Sequence, residues 1–502
     1  RAAVRCRYSS TRGAISPSRA RAISSRRKAG ARSAGSSGGS GQGVAGNGGG
    51  LVRVVAASNV TVNGSILANG ANSGLFGGGG SGGGIYIVCN TFGGSSDGRV
   101  QANGGKGGYW ANATTYDGGG GGGRIAVCYD PVAQSNAPKP AVEFSANGAT
   151  NYGHGVQGTL YFPDAGFFPY LALGGGYTVV IPGFTNWAPS SLAITSGWIR
   201  LPDSFLLSVT NDVTVSGADT RLILSNGTIG CGGNLIATNG GQLHVYSAPT
   251  NGVAPAYGAS VAVGKALLIH TNSVVFPYCH PTNGGGVLFT VRDLTVAPGG
   301  MLSAKGLGFA APPAVGASRS RGPGGPTVGS AYSPGGGHGG VGGDSQGGIG
   351  GPTYGNSNAP LIAGSSGYSG QNVGGDGGGL IWISASGKVT LNGLMTASGS
   401  DSGAQFSGGA SGGAIYIRCK VFRGDITGQL RADGGREGND YRNGAGGGGR
   451  IAVWRVTDEY AGAYSATGAV HQDYATYPTR SGGDGTVVWG RIPAPGTLFV
   501  IH

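Results

Sequence analysis

The side chains of this 502-residue chain that could carry chemistry are seven His, 20 Asp and Glu, and six Cys. The Cys stand at 6, 89, 128, 231, 279 and 419, and no two form a C-x-x-C pair. That spacing fails for structural zinc and for thioredoxin-type redox chemistry. No His lies in an H-x-x-x-H or H-E-x-x-H frame, there is no G-x-S-x-G elbow or P-loop, and matches to G-x-G-x-x-G follow from composition. GGVGGD at 339–344 matches the start of a calcium-binding nonapeptide, but Gln346 stands where a large apolar residue belongs and no tandem copy follows. Asp344 alone cannot supply the several oxygens calcium needs, so no metal and no cofactor are expected. An enzyme working on polysaccharides needs clustered carboxylates, or an Arg or Lys base beside bound cations. Residues 166–304 offer only Asp203, Asp212, Asp219 and Asp293, without a shared local pattern. The expectation is a protein without catalytic activity.

The best candidate for contact with a ligand is a loop that occurs twice. YWANATTYD occupies 109–117, and REGNDYRNG occupies the corresponding place at 436–444. Tyr109, Trp110 and Tyr116 would offer flat faces that suit sugar rings. Asp440, Tyr441 and Arg442 would offer hydrogen bonds and charge. Gly-rich surroundings are expected to leave these side chains exposed, unless Trp110 folds back over the Gly layer.

These loops need a frame, and the composition describes one. Of the 502 residues 111 are Gly and only 24 are Pro, while 39% are apolar and 11% charged. Gly without a three-residue period excludes collagen, and the apolar share excludes simple disorder. No stretch approaches the ~20 apolar residues of a membrane helix. The formal charge of +13 is uneven: residues 1–40 carry ten basic and no acidic side chains, leaving 23 basic against 20 acidic in the rest. This Arg/Ser-rich end reads as a disordered tail, as an arm for polyanions, or as sequence outside the natural frame. It lacks an apolar core, so it is not a secretory signal as it stands.

A duplication organises the remainder. GGGLVRVVAASNVTVNGSILANG at 48–70 returns as GGGLIWISASGKVTLNGLMTASG at 377–399. GGGGSGGGIYIVC at 77–89 pairs with GGASGGAIYIRC at 408–419, GGGGGGRIAVC at 118–128 with GAGGGGRIAVW at 444–454, and QGTLYF at 157–162 with DGTVVW at 484–489. Each unit repeats one grammar: a Gly run, a short apolar strand, a polar turn, then an alternating stretch ending in A-N-G or A-D-G. Parallel stacking lets identical rungs bury identical faces, so the expected fold is all-β, a right-handed parallel β-helix (β-solenoid). An antiparallel sandwich is the competing arrangement. Strands ~4.8 Å apart would bring Cys89 near Cys128, and a buried, unbonded stack of small side chains is expected there rather than a disulfide. The Gly runs read either as flexible loops or as three-residue-per-turn, polyglycine-II-like insertions packed side by side; their matched positions in both units favour packing.

The expected organisation is a basic tail (1–40), repeat unit 1 (41–165), a solenoid middle section (166–304), a Gly/Ser/Pro-rich segment (305–364) and repeat unit 2 (365–502). The motifs quoted above resemble those of large bacterial Gly-rich, adhesin-like surface proteins with β-helix repeats, and the Gly runs are similar in kind to those of phage tail adhesins and Gly-rich receptor ectodomains. The resemblance implies an extracellular or cell-surface setting and carries no catalytic residues. The expected function is a structural or adhesin-like repeat protein presenting surface loops, with glycans or cell-surface polymers as partners and self-association open. A carbohydrate-active β-helix enzyme is the alternative.

Overall fold

The computed structural model of the protein describes residues 33–40, 43–108, 118–149, 155–167, 172–173, 175–250, 257–313, 320–326, 332–403 and 405–494. With 37% strand and 2% helix it is all-β, and its parallel strands form large sheets, an arrangement consistent with a parallel β-solenoid. The chain divides into two compact units, 1–185 with 194–202, and 186–193 with 203–502.

In the first unit Leu51 pairs with Gly84, Gly84 with Arg124 and Arg124 with Thr159, all in parallel, so one rung takes 33 to 40 residues. The alternation in GIYIV turns Ile85 and Ile87 inward, where both are fully buried. Ile85, Ile125 and Leu160 then stack as one inner column. A second parallel stack joins Ser65–Leu67, Arg99–Gln101 and Glu143–Ser145. The A-N-G turns that end these strands stack as well: the amide of Asn103 donates to Asn69 Oδ1, and that of Asn147 to Asn103 Oδ1, each at 2.8 Å. The repeated Asn is therefore a ladder of turn residues.

The second unit follows the same plan. Ile381, Ile415, Ile451 and Val487 align down one sheet, and Leu302, Met395 and Leu430 down another. Ser398 and Asp433 take the place of the Asn ladder, accepting from the amides of Asp433 and Thr467. Rungs take 20 to 32 residues between Asn186 and Met301 and 33 to 36 from Leu380 onward, and at the join Val287 pairs directly with Ile381. The described residues looped out between them form an ordered layer. Phe309 and Ala363 pack on Cys279, Leu380, Ala414 and Trp382, and Trp454 Nε1 donates to Asn358 O at 2.7 Å.

Between the strands, every amide of the Gly runs 78–83 and 444–449 is hydrogen-bonded. In 78–83, Gly78 and Ser81 donate to Gly39 and Ser36, Gly79 and Gly82 to Gly118 and Gly121, and Gly80 and Gly83 to Ala71 and Ala68, at 2.7–3.0 Å. In 444–449, Gly444 and Gly447 donate to Ser333 and Gly336, Ala445 and Gly448 to Arg480 and Gly483, and Gly446 and Gly449 to Gly435 and Ala432. Successive amides address three neighbours, and every third returns to the same one. Ordering a residue costs about 1–2 kcal/mol, and a net hydrogen bond returns about 1, so such runs would not hold alone. They lead without a break into strands whose buried Ile side chains contribute about 1.5–3 kcal/mol each.

Among the Cys residues, Cys89, Cys231, Cys279 and Cys419 are buried free thiols. Cys89 Sγ lies 4.0 Å from Cys128 O. Cys128 is disulfide-bonded, so of this pair only Cys89 keeps the unbonded state expected of both. No helix among the described residues is long and apolar enough to cross a membrane.

Candidate functional site

The 436–444 loop leaves the strand Gln429–Arg431 and returns through the Gly run that enters Arg450–Tyr460. Its centre is an ion pair rather than an open contact surface. Asp440 is 9% exposed; its Oδ1 accepts from Arg442 Nε at 2.8 Å and from the Arg442 amide at 3.0 Å, and its Oδ2 accepts from Nη2 at 2.8 Å. This two-pronged grip holds the Asp440 carboxyl below the usual carboxylate range. The Arg442 guanidinium lies 4.2 Å from the Tyr332 ring centre and donates to its hydroxyl. The sequence-based expectation that all three side chains stand exposed is corrected: Asp440 is buried, the Arg442 side chain is 28% exposed, and Tyr441 is 48% exposed. The reason is chemical, since Asp and Arg two residues apart on a tight loop satisfy each other.

Tyr441 stacks on Tyr477 with ring centres 5.8 Å apart and planes at 20°. Arg480 lies 3.8 Å over the Tyr477 ring and donates to Tyr441 O. Tyr474, 56% exposed, stands on the same 471–480 segment. The face this loop presents is thus an aromatic stack braced by a cation lying over one of its rings.

Two residues that motif reasoning missed hold the loop from within. Glu437 and His471 side chains are 2% and 0% exposed, with Nε2 and Oε1 3.7 Å apart. Glu437 Oε1 accepts from the Gln472 amide at 2.9 Å, and His471 Nδ1 accepts from the Asp473 amide at 3.1 Å. The pair ties the 436–444 loop to the 471–480 segment and is sealed from solvent. Glu437 lay in plain view within REGNDYRNG; nothing in the local sequence marks His471 as its partner. Asn443, fully buried, accepts from the Ser333 amide at 3.1 Å and fixes the far end of the loop.

Tyr109, Trp110 and Tyr116 lie outside the described residues. Among the described residues no three His, Cys, Asp or Glu converge in a group that could hold a metal ion. Asp344, of the calcium-like GGVGGD, accepts from the Gly350 amide at 2.9 Å and closes a turn. Comparison with protein-family models, with curated proteins and with solved structures gives no match.

Proposed function

We propose that this chain is a structural, adhesin-like repeat protein of the cell surface or extracellular space, which mounts loops on a rigid frame and binds glycans through them. In this reading the stacked rungs are a right-handed parallel β-helix, and the Gly runs are polyglycine-II-like helices with three residues per turn. The periodicity of the amide bonding supports that assignment. The observation that carries the binding function is the Tyr441–Tyr477 stack, an exposed aromatic face held by Arg480 on a loop anchored at Asp440, Glu437 and Asn443. Rigid aromatic faces offer large apolar area and lose little side-chain entropy on binding.

A polysaccharide lyase or hydrolase draws no comparable support, because the carboxylate of Asp440 is engaged on both oxygens and Glu437 is enclosed. The test is a glycan-array screen of the protein at moderate salt, with Tyr441→Ala and a Tyr109→Ala/Trp110→Ala variant beside it. Specific binding that falls at least ~10-fold, about 1.4 kcal/mol, in Tyr441→Ala is expected. Binding that is absent, or indifferent to Tyr441, would overturn the assignment of this face.

A further inference from the structure

We propose that the groove lined by 36–39, 78–81 and 118–121 is an empty place in the glycine lattice of the first unit, and that it binds a glycine-rich strand supplied by another polypeptide. The groove holds about 460 Å³ and is lined by Ser and Gly alone. Its occupant is legible from the duplication. The counterparts of these segments in the second unit are 365–368, 408–411 and 444–447, and there a further strand, SPGGGHGGVGG at 333–343, lies among them. Gly336 donates to Gly409 O at 3.0 Å and accepts from the Gly447 amide at 2.9 Å, and Gly339 donates to Gly448 O at 2.9 Å.

In the first unit the counterpart atoms are Gly79 O, Gly121 N and Gly122 O, and no hydrogen bond among the described residues reaches them. Ser365 and Ser366 are fully buried, whereas their counterparts Ser36 and Ser37 are exposed. Space tells the same story. A methyl group at Gly444 or Gly447 would collide with Gly343 O at 2.0 Å or Gly340 O at 2.3 Å. Among the described residues, at Gly118 it would meet nothing within 4 Å, and at Gly121 only Val156 O at 3.5 Å. The first unit therefore keeps Gly on a wall that its described residues leave open. Residues 1–32 contain only Gly13 and Gly30, so that stretch does not repeat the strand that fills the second unit. The ligand the groove fits is an extended Gly-rich strand like 333–343, with Gly at the positions that meet the walls as Gly336 and Gly339 do, where a methyl group would lie 2.6 Å from Ser366 O and 2.0 Å from Gly449 O.

The inference is independent of sugar binding at Tyr441. A labelled peptide of the 333–343 sequence is titrated into the full chain, followed by fluorescence anisotropy and by amide exchange. Saturable binding is expected, with the exchange of the Gly121 amide slowed at least ~10-fold. Gly121→Val and Gly118→Val are each expected to abolish binding, Gly64→Ala and Tyr441→Ala to leave it intact, and a peptide carrying Gly336→Val not to bind. Melting curves of the two Val variants show whether they fold, and either one that melts like the parent suffices. No saturable binding up to ~1 mM, binding that survives the Val variants, or equal binding of the Val-bearing peptide would each overturn the proposal.

Discussion

At Gly412 an added methyl group would lie 2.0 Å from Ala432 O, and at Gly64 it would meet nothing within 4 Å. Gly412→Ala is expected to lower stability by about 1–3 kcal/mol, as overpacking does, and Gly64→Ala to leave it within about 0.5 kcal/mol; denaturant midpoints measure both. His338 gives a second prediction at this scale. It is fully buried, its Nδ1 lies 2.9 Å from Gly412 O, and burial pulls its pKa down from 6.5 to about 4. His244, stacked on Phe276, is pulled down to about 3, again chiefly by burial. The unfolded chain takes up these protons near pH 6.5 and the folded chain does not. Stability is thus complete above about 6.5 and falls as the pH drops towards 4, by up to about 1.4 kcal/mol per pH unit for each His. His338→Gln is expected to flatten that slope, and an unchanged slope would show that His338 is protonated in the fold. Residue chemistry was only half legible in the sequence. The Asp440, Tyr441, Arg442 trio could be read as a cluster, but which member faces solvent depends on Tyr332 and Arg480, which lie far away in the chain.

Strands and their stacking were the most legible elements, because side-chain alternation and a co-linear duplication both reach directly into the register. IYIVC and IYIRC occupy equivalent rungs and bury equivalent Ile pairs. The layer between Val287 and Ile381 was not legible beyond its composition. Its order comes from Phe309 and Ala363 covering Cys279 and from Tyr354, whose carbonyl accepts from Arg450 Nε at 2.9 Å, and such long-range contacts leave no local period. This layer carries a prediction of its own. Cys279 is sealed beneath it, and burial pushes its thiol up to about 12, so it should resist a thiol reagent at pH 8 in the native protein. Phe309→Ala opens that cover and is expected to expose Cys279 to the reagent while costing about 3–5 kcal/mol. Cys279 equally reactive in both proteins would contradict the covering role.

For the molecule as a whole, the account rests on Gly runs that are ordered structure rather than slack between strands. Sequence alone allowed both readings, since a Gly run carries no side-chain pattern from which packing could be read; only its recurrence beside the same strands favoured order. Residue-level amide exchange tests this most directly. The hydrogen-bonded amides of 78–83 and 444–449 are predicted to exchange as slowly as those of the strands Gly84–Val88 and Arg450–Tyr460. Exchange of the Gly runs at the rate of an unstructured peptide, while the strands stay protected, would contradict the account.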